Sequence, residues 1–294
     1  MKKLKREDVK QEVFDLYDDY AHNKLQRRDF IEKLSVYAVG GITVASLLSF
    51  MMPNYRDTLL VDPNDPDLDS EYITYNSPEG GGEIKGLLSK PKKMNGKVGG
   101  VVVVHENRGL NPYIEDTARR AALEGFITLA PDALSPLGGY PGNDDEGRAM
   151  QRKRDRNEML QDFIAAFNYL KGHKACSGKI GVVGFCFGGW ISNMMAVNVA
   201  DLAAAVPFYG GQPKENIDKI NAPLLLQFAG LDERVNAGWP AYENALKANG
   251  KRYEAFTYPN VNHGFHNTST PRYNKEAAEL AWSRTMDFFK KHLN

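Results

Sequence analysis

The chain has 294 residues, and its 37 Lys and Arg residues balance its 37 Asp and Glu residues, so the formal net charge is zero. This balance gives no support for a nucleic-acid partner. Hydrophobic residues make up 42% and charged residues 25% of the chain, a composition that excludes wholesale disorder. Two cysteines are too few for a disulfide framework, and no CxxC or HExxH motif is present. We therefore expect no metal site and no cofactor.

The amino-terminal residues 1–52 form the first of three predicted regions, a helical segment. Residues 1–24 are rich in charge and predict one amphipathic helix. The apolar residues that fall on one face of this helix are Val13, Phe14 and Tyr17.

A twin arginine follows at Arg27 and Arg28, and an uncharged, weakly apolar stretch lies at residues 36–52. This pattern is typical of a twin-arginine signal and predicts an exported, periplasmic protein. Seventeen weakly apolar residues are marginal for a membrane span, and no cleavage site is obvious at their end, so an uncleaved anchor in contact with the membrane is an alternative. A surface helix followed by a buried helix, in a cytoplasmic protein, is the other alternative.

Residues 53–70 are rich in proline and acidic residues and predict a linker. The third region, residues 71–294, begins with a predicted hairpin and continues with alternating strands and helices. This order predicts an α/β catalytic domain, in which a mostly parallel sheet of about eight strands carries helices on both faces. The predicted helices of this region span residues 113–124, 144–171, 188–199, 240–249 and 275–293.

Three side chains with complementary chemistry follow three different predicted strands: Cys186, Asp232 and His263. In parallel sheets, functional sites lie at the carboxyl ends of the strands, so we expect these side chains to meet. A lone cysteine is usually core filler, but its combination with an acid and a histidine favours catalysis. We interpret Cys186 as the nucleophile, His263 as its base and Asp232 as the residue that orients the base.

The sequence G-F-C-F-G around Cys186 is typical of a nucleophile elbow, a sharp turn between a strand and a helix. The residues two before and two after the nucleophile must be small, and Gly184 and Gly188 meet this requirement. The helix that begins near Gly188 directs a partial positive charge toward the turn, which favours the thiolate. We expect the backbone N–H groups of Phe187 and Asn107 to donate to an oxyanion.

Two of these assignments have a neighbour that competes with them. Glu233 is adjacent to Asp232, but Asp232 comes first after the strand. His266 competes with His263, which is nearer the strand and is followed by Gly264, a residue that leaves room beside the thiol.

Residues 71–294 resemble the dienelactone hydrolase (carboxymethylenebutenolidase) family, a branch of the α/β-hydrolases. The resemblance rests on the stretches VVVVHENRGLN, GFITLAPDAL, GVVGFCFGG, AGLDERV and NHGF. It implies an α/β-hydrolase fold and a triad of Cys186, His263 and Asp232 that acts on a lactone or an ester. It also implies that Glu106 lies close to the thiol and helps to activate it.

The sequence departs from this family at one point. Family members that hydrolyse dienelactone hold the substrate carboxylate with arginines, one of them a few residues after the catalytic histidine. Here no arginine follows His263 until Arg272, nine residues on. Either His266 or Arg272 takes that place, or the substrate does not need a carboxylate. The predicted substrate-binding residues are Arg108, Tyr140, Trp190, Tyr209, Phe265 and His266.

The sequence thus predicts a hydrolase that cleaves a small-molecule lactone or carboxylic ester through a cysteine nucleophile and a thioester intermediate. The alternative is an exported protein without hydrolytic activity, which uses the same scaffold for binding and the thiol as a redox sensor. The intact Asp232–His263 pair distinguishes the two, because a sensor does not need it. The sequence makes no prediction of oligomeric state.

Overall fold

A mixed sheet of eight strands forms the centre of the structure, a computed structural model that describes residues 4–22 and 24–294. The strand order is β1-β2-β4-β3-β5-β6-β7-β8. Strand β2 pairs antiparallel with β1 and with β4, and the remaining pairs are parallel. The strands are β1 (Leu68–Ser77), β2 (Gly82–Pro91), β3 (Val98–Val104), β4 (Ile127–Pro131), β5 (Cys176–Phe185), β6 (Ala204–Phe208), β7 (Leu224–Ala229) and β8 (Tyr253–Tyr258).

Helices cover both faces of this sheet, as predicted. The helices are α1 (Gln11–Ala21), α2 (Arg27–Ser35), α3 (Val44–Met51), α4 (Pro112–Leu123), α5 (Asp144–Gln151), α6 (Arg156–Gly172), α7 (Phe187–Asn198), α8 (Glu233–Asn236), α9 (Trp239–Ala248) and α10 (Lys275–Leu293). Helices α4 and α10 bury apolar side chains against one face, and α6, α7 and α9 do so against the other. Both faces of the central strands are therefore buried, which explains runs such as the four valines of β3.

The long helix predicted over residues 144–171 is two helices, α5 and α6. The side chain of Asp155 accepts hydrogen bonds from the backbone N–H groups of Asn157 and Glu158, at 2.8 and 3.1 Å. These bonds satisfy N–H groups at a new helix start, so Asp155 caps α6 and separates it from α5. Residues 151–158 contain no apolar side chain, and the prediction was wrong here because it gave no weight to this gap and to the cap within it.

The amino-terminal region forms three short helices with an apolar cluster of their own. Helix α1 is shorter than the predicted helix over residues 1–24, and Val13, Phe14 and Tyr17 are buried in this cluster as expected. Among residues 4–22 and 24–294, none of the helices is long and apolar enough to span a membrane. Arg27 forms a 2.9 Å ion pair with Asp145 of α5. Export through the twin arginine stays a prediction.

The predicted linker, residues 53–70, is bound along the surface of the sheet domain. The backbone N–H groups of Leu60 and Val61 both donate to Asp116 Oδ1 at 2.8 Å, and Tyr55 donates to Asp144 at 3.0 Å. The last three residues of the predicted linker already belong to β1, which begins at Leu68. The predicted boundary at residue 71 was wrong because the strand pairing with β2 extends beyond the alternating pattern.

Candidate active site

Cys186 lies in a sharp turn between β5 and α7, at the carboxyl edge of the sheet. Its backbone has φ 59° and ψ −109°, a conformation that costs energy for any residue with a side chain. The turn also brings the following helix against the strand so closely that a Cβ on Gly184 would lie 2.0 Å from the carbonyl oxygen of Gly188. A Cβ on Gly188 would lie 2.4 Å from the carbonyl oxygen of Val104. Both positions therefore require glycine, and the turn presents the thiol.

His263 and Asp232 stand at the carboxyl ends of β8 and β7 and contact each other. Nδ1 of His263 lies 2.5 Å from Oδ2 of Asp232. The other oxygen of Asp232 accepts the backbone N–H of Val235 at 3.1 Å and so caps α8. Asp232 is held in place by this cap, and it in turn fixes the imidazole so that Nε2 faces the thiol. The adjacent acid, Glu233, is exposed.

The electrostatics of the site favour a charged thiolate and a protonated imidazole. Burial by itself would lower the pKa of His263, but the carboxylate of Asp232 and the thiolate of Cys186 raise that pKa to about 10. Burial would likewise raise the pKa of Cys186, but the positive charges of His263 and His22 hold it well below its usual range. The arrangement can therefore hold Cys186 as a thiolate beside His263, an imidazole that can donate and accept a proton.

His22, from the amino-terminal region, is a site residue that the sequence reasoning missed. Its Nε2 lies 3.2 Å from Sγ of Cys186, and its ring packs edge-on against His263 with 4.7 Å between centroids. Burial disfavours the charged imidazole of His22, but the thiolate and Asp18 raise its pKa. No local sequence pattern around His22 indicates catalysis, because the contact depends on how α1 packs on the sheet domain.

The predicted oxyanion donors belong to two different segments, the start of α7 and the segment after β3. Phe187 is the first residue of α7, where backbone N–H groups have no acceptor within the helix. Asn107 follows β3, and its side chain donates a 2.8 Å hydrogen bond to the carbonyl oxygen of Ala21 at the end of α1. The second donor loop is therefore in contact with the amino-terminal region.

Glu106 is buried at the end of β3, with 2% of its surface exposed. Its Oε2 accepts a 2.7 Å hydrogen bond from Asn267, in the loop that also carries His263. This contact connects the two loops, and no sequence motif indicates that Asn267 is the partner of Glu106.

Arg108 and Tyr140, two of the predicted substrate-binding residues, both bind the carboxylate of Asp144. Arg108 is fully buried and forms a 2.7 Å ion pair with Asp144, and Tyr140 donates to the same carboxylate at 2.8 Å. Tyr55 is the further donor to Asp144. This cluster joins the segment that precedes the sheet domain to the start of α5, which gives Arg108 a structural role.

Phe265 and His266 are both completely buried in the core. Phe265 is completely buried in a cluster of aromatic rings. Nδ1 of His266 lies 2.7 Å from the hydroxyl of Tyr113, and its ring stacks on Phe185 inside the core. The structure does not bring either residue to the predicted substrate site. Burial, followed by the nearby charge of Arg120, lowers the pKa of His266 well below its usual value.

Tyr209 and Trp190 lie closer to the centre. The ring of Tyr209 is 4.8 Å from that of His263, and the left-handed backbone of Tyr209 (φ 37°) follows β6 at the same edge of the sheet. Trp190 is half-buried on α7, where the guanidinium of Arg156 lies 3.9 Å from its ring centroid. Tyr209 therefore packs against the imidazole of His263, and Trp190 packs beside the ring of Phe187.

A cavity of about 430 Å³ opens beside His263, between α1 and the sheet domain. Its walls are mostly charged. Arg272, the first arginine after His263, lines it and lies 3.8 Å from Asp18 of α1. The residues from both regions that line this cavity include Phe14, Asp18, Asp232, Arg234, His263 and Arg272. Asp232 and His263 border this cavity, whereas Cys186 is not among the residues that line it.

Comparisons with known proteins match the two regions of the chain to different families. Residues 84–293 match the model of the "Dienelactone hydrolase family", and residues 1–39 match a model described as "YqhI-like". The larger match contains the strand ends that carry the thiol, the acid and the base. The smaller match contains His22 and the helix before it.

Relatives of this chain are hydrolases by name. A "Putative carboxymethylenebutenolidase" of Saccharolobus solfataricus is 31% identical over 258 residues, covering 74% of this chain and 97% of the relative. The "Putative hydrolase fragment YghX" of Escherichia coli is 58% identical over 114 residues, covering 39% of this chain and 97% of the fragment. The crystal structure of a "Putative Dienelactone Hydrolase" from Klebsiella pneumoniae has a TM-score of 0.66 and 25% identity, covering 76% of this chain and 99% of that chain.

Proposed function

We propose that Cys186 is the nucleophile of this hydrolase, which belongs to the dienelactone hydrolase family and acts on esters or lactones. The observation that carries the proposal is the juxtaposition of three groups. Sγ of Cys186 lies within 4.8 Å of the ring nitrogen of His263 that faces it, and the opposite nitrogen of that ring contacts Asp232 at 2.5 Å. A strained backbone at the thiol supports the assignment, because such strain persists where function requires it.

In the first half of the reaction, the thiolate sulfur attacks the carbonyl carbon and the π electrons move to the carbonyl oxygen. The backbone N–H groups of Phe187 and Asn107 donate to this oxyanion. When the carbonyl re-forms, the bond to the leaving oxygen breaks, and that oxygen takes the proton held on His263 Nε2. The products are a thioester on Cys186 and an alcohol or enol. When the substrate is a lactone, this hydroxyl group stays attached to the acyl chain.

In the second half, water attacks the thioester carbon while His263 Nε2 accepts one of its protons. Collapse of the second oxyanion breaks the C–S bond and releases the carboxylic acid, and the thiolate is restored. Asp232 stays ionised throughout and stabilises the imidazolium that each half requires. A thiolate is a good leaving group, so this centre suits lactones and activated esters better than amides.

Family membership favours this hydrolase over the non-hydrolytic alternative, a thiol sensor on the same scaffold. The Asp232–His263 contact also favours it, because oxidation of an accessible thiolate requires no general base. The substrate is proposed to be a small-molecule ester or lactone, because the chain belongs to the dienelactone hydrolase family and has carboxymethylenebutenolidases by name among its relatives.

The test is the activity of Cys186→Ala on a panel of lactones and aryl esters, both charged and neutral. We expect this variant to lose hydrolysis of every substrate that the wild-type protein cleaves. Cys176→Ala is the matched control, because Cys176 is buried at the opposite end of β5 and should leave activity unchanged. Full activity of Cys186→Ala would refute the assignment.

A further inference from the structure

Helix α1 is docked on the catalytic edge of the sheet domain through polar contacts. Asp18 lies 3.5 Å from Arg234 and 3.8 Å from Arg272, and Ala21 accepts the hydrogen bond from Asn107. Gln11, at the other end of α1, is hydrogen-bonded to Asn262, next to the catalytic histidine. The end of this helix therefore carries His22 directly onto the thiol.

Three donor atoms converge where α1 meets the catalytic centre. Donor atoms of His22, Cys186 and His263 all lie within 4.8 Å of one another, and His22 Nε2 is 3.2 Å from Sγ. In a tetrahedral zinc site the Zn–N and Zn–S bonds are roughly 2.0 and 2.3 Å, which places neighbouring nitrogen and sulfur donors about 3.5 Å apart. The His22–Cys186 spacing of 3.2 Å is therefore close to that of a metal centre, and the other two pairs lie within 4.8 Å. Nη2 of Arg234 also lies 3.1 Å from His22 Nε2, so this guanidinium must move aside when an ion binds.

Both imidazoles are oriented as metal-bound histidines are. Nδ1 of His263 contacts Asp232 at 2.5 Å, and Nδ1 of His22 lies 2.9 Å from the backbone oxygen of Asp18 and 3.2 Å from its carboxylate. A carboxylate or backbone carbonyl on the far nitrogen fixes the tautomer and points Nε2 at the metal. In addition, Nε2 of His263 is buried without a hydrogen-bond partner among the described residues. Catalysis explains the partner of His263 Nδ1, but it does not require the one of His22 Nδ1.

We propose that His22, Cys186 and His263 bind a divalent transition-metal ion such as Zn²⁺, and that the ion pins α1 over the catalytic centre and keeps the enzyme inactive. The donor set of two imidazoles and one thiolate suits Zn²⁺ and not Mg²⁺ or Ca²⁺, which prefer oxygen ligands. Binding displaces the protons held on the two imidazole nitrogens and releases them to solvent, and the sulfur binds as the thiolate that it already is. The inactivity follows from the proposed function, because the ion occupies the nucleophile's electron pair and the base's Nε2.

This proposal departs from the sequence prediction of no metal site. That prediction rested on short motifs, whereas His22 and Cys186 are 164 residues apart and come from regions that match different families. The site therefore exists only when the amino-terminal region is packed on the sheet domain. Metal binding is for this reason coupled to the contact between the two regions.

The first test measures metal binding without reference to activity. Full-length protein, freed of metal with a chelator, is titrated with Zn²⁺ against a chromophoric chelator and, separately, with Co²⁺ while its absorption spectrum is recorded. We expect one ion per chain, and Co²⁺ bands of a tetrahedral site with thiolate-to-metal charge transfer. Absence of binding, or Co²⁺ spectra without the thiolate band, would overturn the proposal.

Variants locate the ion. His22→Ala and His22→Gln should each weaken Zn²⁺ binding by at least ~100-fold, since even the loss of an outer-shell partner costs 10–100-fold. His173→Ala is the matched control, because His173 lies at the end of α6, before the amino end of β5. Circular dichroism checks that each variant is folded. Zn²⁺ binding that is equally tight in both His22 variants would contradict the assignment.

Inhibition is tested last, with an activated aryl ester and each protein compared with its own metal-free rate. We expect Zn²⁺ to inhibit the wild-type protein and His173→Ala, and both His22 variants to require at least ~100-fold more Zn²⁺ for the same inhibition. If the metal-free protein hydrolyses esters through Cys186 but binds no Zn²⁺, the inference fails and the proposed function stands. If Zn²⁺ binds as expected but Cys186→Ala still hydrolyses esters, the proposed function fails and the metal site stands. Tight binding without inhibition would refute the inhibitory role.

Discussion

Nε2 of His22 lies 3.2 Å from Sγ of Cys186, although 164 residues separate the two along the chain. The contact joins a region that matches a YqhI-like model to a dienelactone hydrolase domain, so both contribute to the proposed catalytic centre. Because His22 lies against the thiol, we expect a substrate that reaches Cys186 to displace the end of α1. The amino-terminal region therefore forms part of the site, through His22.

The Asp232–His263 contact predicts that removal of the Asp232 charge greatly lowers kcat. Asp232→Asn keeps the shape of the side chain but removes the charge that stabilises the imidazolium, so kcat should fall by about 10³–10⁴-fold. The measurement is steady-state hydrolysis of an activated ester. Glu233→Gln, one residue on and exposed, is the control and should keep wild-type kcat. Equal losses in the two variants would mean that the acid has been assigned incorrectly.

The elbow predicts that Gly184 cannot carry a side chain. In Gly184→Ala the new Cβ would lie 2.0 Å from the backbone oxygen of Gly188, and backbone on both sides must shift. Chemical denaturation should show the free energy of unfolding reduced by about 3 kcal/mol or more. Gly172→Ala is the control, because nothing lies within 4 Å of its added Cβ, and its stability should be unchanged or raised by up to about 1 kcal/mol. A stable Gly184→Ala protein would contradict this description of the turn.

The buried ion pair of Arg108 and Asp144 predicts a structural defect when one partner is removed. Arg108→Leu leaves the Asp144 carboxylate buried with only tyrosine hydroxyls as donors, so the free energy of unfolding should fall by about 3–5 kcal/mol. The double variant Arg108→Leu/Asp144→Asn should regain part of that loss, because the buried charge is gone. A loss below about 1 kcal/mol in the single variant would argue for a role in substrate binding instead.

The buried imidazole of His266 predicts a loss of stability in mild acid. Its folded-state pKa is lowered, so below the unfolded value of about 6.5 the unfolded chain binds a proton that the native core excludes. The free energy of unfolding should therefore fall as the pH drops from 6.5, by at most about 1.4 kcal/mol per pH unit from this group. Denaturation of His266→Phe, which keeps an aromatic ring, should show a shallower slope between pH 6.5 and 5. An identical slope in the two proteins would refute this origin.

The sequence predicted the part of the site that follows from the sheet. Cys186, Asp232 and His263 each follow a parallel strand within five residues, and the carboxyl ends of such strands share one edge, so the alternation of strands and helices was sufficient to bring them together. The eight-stranded sheet was predicted because its strands show strong local patterns, whereas the break between α5 and α6 was missed.

Contacts that depend on packing between distant segments could not be predicted in this way. His22 reaches the thiol only because the polar side of α1 docks on Arg234 and Arg272. His266 follows His263 by three residues, yet it enters the core beside Tyr113, and nothing in the motif indicates on which side of the loop it falls. Arg108 is charged and follows a strand, but its partner Asp144 begins a helix elsewhere in the chain.

The central claim is that Cys186 becomes acylated during hydrolysis, and trapping the acyl-enzyme tests it most directly. Metal-free protein is mixed with an activated aryl ester, quenched in acid within the first turnover, and examined by intact mass and peptide mapping. We predict one acyl group per chain, on Cys186, that is absent in Cys186→Ala and present in Cys176→Ala. An acyl group on another residue, or rapid first-turnover product release with Cys186 never modified, would contradict the account.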